Sequence, residues 1–170
     1  MTERGANKTE EAIVVSQIPD VCQTPRGSKT VPVPYPIFSK FNSAKNTSPN
    51  VTFQGNPAFH YASYLPSVTG NEAGSKGGVK SGVNLGIVNS SAKSSTMRIN
   101  GEWAIRNAHS MEMNCAAPKT KGNTKGKIIY LNIKTLAKVD PETGEVMKPL
   151  EEEYLPSAKD TGVYLSLIHI

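Results

Sequence analysis

Met97-Arg-Ile-Asn-Gly-Glu-Trp-Ala-Ile-Arg106 sets two short arms of alternating apolar residues on either side of Asn100-Gly101. Both central residues of a type I′ turn need positive φ, and Asn-Gly adopts it at little cost, so the stretch predicts a two-residue β-hairpin. The same layout occurs 46 positions earlier in Val51-Thr-Phe-Gln-Gly-Asn-Pro-Ala-Phe-His60. Val51 aligns with Met97, Phe53 with Ile99, Gly55 with Gly101 and Ala58 with Ala104. Two matched hairpins joined by a Gly/Ser-rich connector predict one small β-unit used twice. Helical and doubly wound folds have no use for such a pair.

Composition points the same way. Fourteen Gly and twelve Pro in 170 residues leave little room for long helices, and 37% hydrophobic residues with 6% aromatic allow one small core. The expected class is all-β, a single compact domain of short strands and hairpins. Two cysteines, Cys22 and Cys115, fall short of a disulfide scaffold and suit a reducing compartment. The first eleven residues carry acidic side chains and lack an apolar h-region, so no signal peptide is expected.

Nineteen Lys and Arg against fourteen Asp and Glu give a net charge of +5. Lys119, Lys121, Lys125 and Lys127 cluster, but no aromatic residue interleaves with them as single-strand stacking platforms require. The cluster reads as a solvated basic loop, and no nucleic-acid partner is expected.

Along the chain, residues 1–17 read as a flexible N-terminal arm, with Ala12-Ile-Val-Val15 as an edge strand at most. Val31-Pro-Val-Pro-Tyr-Pro36 must run extended and lacks alternate backbone donors, so it reads as a rigid strap rather than a central strand. The Gly-rich run from Thr69 to Gly82 departs from a phosphate-binding loop, because Lys76 is followed by Gly77 and no helix pattern comes after it. Tight turns and close backbone approach are its expected use. Residues 127–164 read as a β-hairpin extension and tail, with a turn at Pro141 and Gly144. Leu165-Ser-Leu-Ile-His-Ile170 resembles translated sequencing-adapter read-through and is set aside, His169 included.

Six motifs in this order resemble the PAAR-like domains (the domain of unknown function numbered 4150) of contractile secretion systems. They are Pro19-Asp-Val-Cys-Gln-Thr-Pro25, Val31-Pro-Val-Pro-Tyr-Pro36, the two hairpins, Thr69-Gly-Asn-Glu-Ala-Gly74, Gly77-Gly-Val-Lys-Ser-Gly82, and Asn114 with Gly122-Asn-Thr124. The likeness spans roughly residues 18–126. It implies a cone-like β-domain capping the trimeric valine-glycine-repeat spike of a type VI secretion system, aiding membrane puncture and carrying an effector. The implied protein is not an enzyme, is cytoplasmic before firing and secreted at the spike tip afterwards, and touches membrane only in passing. The reading from another class is a secreted β-rich binding module for an anionic glycan or nucleic acid.

Cys22, His60, His109 and Cys115 are the soft metal ligands outside the final six residues, and two Cys with two His could complete a tetrahedral zinc site. PAAR relatives bind zinc near the tip. PAAR-like relatives often place a His before the Asn, where this chain has Met113. No catalytic residue is expected: Glu72, Glu102 and Glu112 are scattered, and His109 with Cys115 lacks an orienting partner. Val51, Phe53, Met97 and Ile99 are the expected docking or packing faces, with Gly55, Asn100 and Gly101 at the turns.

Overall fold

The computed structural model describes residues 4–131. Twelve strands and a single 3₁₀ turn, Phe41–Ser43, make up the described elements, and the class is all-β. The strands are β1 Ala12–Ser16, β2 Asp20–Arg26, β3 Lys29–Tyr35, β4 Phe38–Lys40, β5 Thr52–Phe53, β6 Asn56–Pro57, β7 Tyr64–Leu65, β8 Ile87–Ser90, β9 Arg98–Ile99, β10 Glu102–Trp103, β11 Met111–Cys115 and β12 Gly122–Tyr130.

Six strands form one sheet in the order β4-β1-β12-β11-β8-β7, and every pairing in it is antiparallel. Its inner face supplies Val14, Val88, Met111, Met113 and Ile128, which pack with Ile37, Phe41, Phe59, Leu65 and Ile105 into the main core. Phe41 and Phe59 meet edge to face at 5.0 Å. Burial of this apolar set is the main favourable term in a chain this size.

Two expectations need correction here. The N-terminal arm is no loose appendage from residue 4 onward: β1 is buried at every position and runs between β4 and β12 in the sheet interior. Four successive apolar residues suit a strand covered on both faces, which periodicity cannot tell from an edge. The boundary at residue 127 also moves, because β12 continues to Tyr130 with Ile128 opposite Val14 and Ile129 opposite Ile13. The hairpin expected at Pro141 and Gly144, and the final six residues, lie outside the described residues.

β2 and β3 form a separate ribbon, with Gln23 opposite Pro32 and Val21 opposite Pro34. The expected strap is thus a paired strand. On the opposite edge β2 meets the Gly-rich run, where Gln23 N–H donates to Gly77 O at 2.8 Å and Val79 N–H to Val21 O at 3.0 Å. Since the backbone groups of Val21 and Gln23 turn toward that run, their partners Pro34 and Pro32 occupy non-bonded positions and forgo no ladder bond.

The two hairpins form at the expected turns. Gln54 and Gly55 have φ of 52° and 79°, Asn100 and Gly101 have 50° and 84°. Their surroundings match bond for bond. Ala58 N–H reaches Val51 O at 2.9 Å, and Ala104 N–H reaches Met97 O at 3.0 Å. Ser48 and Ser94 close each unit: their hydroxyls accept the N–H of Val51 at 2.9 Å and of Met97 at 3.2 Å.

Candidate functional site

Two features could serve a function, a closed ring of three chain segments and a buried carboxylate clasped by asparagines. The ring begins where the hairpins end. His60 bridges Ala104, Asn7 bridges Ala58 and Gly5 bridges Arg106, so the segments at 5–7, 58–60 and 104–106 each pair with both of the others. Equivalent hydrogen bonds recur at the three junctions: Lys8 N–H to Pro57 O at 2.9 Å, Tyr61 N–H to Trp103 O at 2.8 Å, and Asn107 N–H to Arg4 O at 2.9 Å. The repeat seen as twofold in the sequence is a pseudo-threefold arrangement in space. Its third member, Gly5-Ala-Asn7, is the stretch expected to be flexible.

The middle residues of the three segments, Ala6, Phe59 and Ile105, are fully buried in the main core. On the other face the hairpins fold inward. Ile99 packs with Ala58 and Ala104, and Val51 and Phe53 lie against that cluster half-buried. Phe53 also covers Gly5, where an added Cβ would sit 2.5 Å from its ring. Of the four residues expected on packed or docking faces, Ile99, Val51 and Phe53 pack between the units, while Met97 stays 36% exposed.

The clasp gathers the glycine- and asparagine-bearing motifs. Asp20, at the start of β2, is fully buried, and its Oδ2 accepts from the Cys22 thiol at 2.9 Å, Asn71 Nδ2 at 2.8 Å and Asn114 Nδ2 at 3.0 Å. Its Oδ1 accepts from Asn123 Nδ2 at 2.6 Å. A buried carboxylate without a cation needs such a shell of donors. Each amide is also used at its other end or a second time. Asn123 Oδ1 accepts the N–H of Lys80 at 2.6 Å, and Asn114 Oδ1 that of Gly86 at 2.8 Å. Glycine lets the backbone come this close: a Cβ on Gly74 would fall 2.4 Å from that of Cys22, and one on Gly78 2.5 Å from the Asn123 carboxamide. The motifs are therefore the parts of one cross-link between β2, the Gly-rich run, β11 and β12.

The four expected zinc ligands occupy separate settings. Cys22 is part of the clasp, and Cys115 accepts from Asn89 Nδ2 at 3.2 Å. His60 Nδ1 accepts from Ala62 N–H at 3.3 Å, and His109 Nδ1 from Arg106 N–H at 3.2 Å. Among the described residues, no three His, Cys, Asp or Glu side chains gather as a metal set. Burial and the Asp20 carboxylate push the Cys22 thiol up to about 12. Burial likewise raises Cys115 to about 11, so neither sulfur is a ready nucleophile at neutral pH. Burial also lowers the pKa of His60.

Sequence reading missed one cluster. Lys119 of the basic loop lies 5.5 Å from the Tyr61 ring, Lys93 lies 5.1 Å from Tyr61 and 5.8 Å from Trp103, and Arg98 stacks at 3.9 Å over Trp103. An aromatic residue absent from the loop's own sequence, Tyr61, is thus brought to it from another segment. Glu102, 3.6 Å from Lys119, carries the opposing charge.

Residues 13–126 of this all-β chain match the family model of the toxin PAAR-like domain. The chain belongs to that family. No curated protein and no solved structure shows a significant match to it.

Proposed function

We propose that this chain is a non-enzymatic spike-tip component of a type VI secretion system, docking as one copy on a trimeric valine-glycine-repeat spike and carrying an effector. The observation that supports this most is the pseudo-threefold ring at 5–7, 58–60 and 104–106. A single chain meeting a threefold-symmetric end faces a symmetry mismatch, which three near-equivalent segments relieve. The end of such a trimer exposes strand edges and apolar side chains that favour covering. Family membership fits this role.

The test is to mix the chain with its cognate spike trimer and measure mass by light scattering. One chain per trimer is expected, with weaker binding for Met97→Asp at the exposed edge of the second hairpin. A ratio of three to one, or no complex, overturns the reading.

A second reading, a module for an anionic ligand, is favoured by the Lys93, Arg98 and Lys119 side chains over Tyr61 and Trp103. It predicts salt-sensitive binding to heparin or single-stranded DNA that Trp103→Ala abolishes.

A further inference from the structure

Ile18 and Val79 are the two most exposed large hydrophobic residues of the described chain, at 67% and 54%. They line the same recess, of about 670 Å³, whose wall includes Val21 and Asn123 and whose rim carries Lys80, Lys121 and Lys125. A volume of this size holds one or two side chains of a partner and lies in the range of built ligand sites. Solvent-facing aliphatic residues that are neighbours in space, rather than scattered, mark interaction surfaces.

The charge of the recess is one-sided. Three lysines line it against one acidic residue, Glu112, whose carboxylate accepts Gly122 N–H at 2.9 Å. The recess is also rigid. Its Asn123 is tied to Asp20 and to the N–H of Lys80, and Thr124 Oγ1 donates to Ile18 O at 2.8 Å, so both apolar rims are anchored by the clasp. A preformed wall costs little ordering on binding.

We propose that this recess docks a short acidic peptide segment of a partner protein, which places an aliphatic side chain between Ile18 and Val79 and its carboxylates on Lys80, Lys121 and Lys125. Concavity and a polar amide wall favour a peptide over a lipid surface, which would select a convex apolar tip. The recess shares no residue with the threefold ring, so this docking stands or falls independently of spike binding.

Selection of a random peptide library displayed on phage, against the full chain, tests it. Enriched peptides are expected to carry Asp or Glu beside Leu, Ile or Val. Synthetic copies should lose affinity by about tenfold or more for Val79→Asp, and for Lys80→Glu with Lys121→Glu, as truncated anchors and reversed charges do. Circular dichroism confirms the variants' folds, and Ile18→Asn provides a second, uncharged probe should Val79→Asp fail to fold. Peptides without acidic residues, affinities unchanged in the variants, an empty selection, or binding to phosphatidylglycerol vesicles in place of peptides would each overturn the proposal.

Discussion

Asp20 accepts from four donors in a fully buried site, so its removal takes away an acceptor that all four share, and only Asn114 and Asn123 keep a backbone carbonyl each. Asp20→Ala should therefore cost about 3 kcal/mol or more in urea unfolding, in the range of broken buried polar networks. The adjacent thiol gives a pH test. Cys22 titrates at about 12 in the fold against an ordinary 9.0, and Cys115 at about 11. A raised folded pKa means that the unfolded chain loses its proton first, so stability is complete below pH 9 and falls as pH rises through 9 toward 12. The slope approaches about 1.4 kcal/mol per pH unit for each thiol. Thermal melts of Cys22→Ser between pH 8 and 11 should show a shallower fall than the parent chain, and an identical fall would remove Cys22 from the account. The residues of the clasp were legible only as motifs shared with the PAAR-like domains, since no one of those motifs is specific alone. Their common partner was not, since Asp20 lies 51 positions from Asn71 and 103 from Asn123.

Hairpins are the elements that sequence reading located best. Positive φ at two successive residues is a local demand, and Asn100-Gly101 meets it more fully than Gln54-Gly55. Gln54 at φ 52° is the weaker choice, since Asn tolerates the left-handed region better than Gln does. Gln54→Asn is expected to raise stability by about 0.5 kcal/mol, whereas Gly101→Val should cost about 1–3 kcal/mol, both read from denaturant midpoints. Less legible was the ribbon of β2 and β3. Alternating prolines argued against a central strand but left open an edge pairing, and the same alternation lets every missing N–H fall where the partner strand forms no bond. The pseudo-repeat itself was half legible, because two members advertise themselves by turn chemistry and the third, Gly5-Ala-Asn7, has no turn and no apolar pattern to show.

At the scale of the molecule, the N-terminal stretch is a structural member: Ala6 and Asn7 are fully buried, and β1 is interior. Deleting residues 1–9 should lower the melting temperature by more than about 5 °C, where a loose arm would leave it unchanged. The basic loop shows the same limit, for the aromatic neighbour of Lys119 arrives from 58 positions away, at Tyr61. The ring also ties recruitment to the history of the chain. The 104–106 segment is not made until Arg106 has left the ribosome, and it closes against the 5–7 and 58–60 segments made before it. A truncated or half-folded copy has no ring to offer, so on the proposed reading the spike itself acts as an inspector, admitting only chains whose 5–7, 58–60 and 104–106 segments have already found each other.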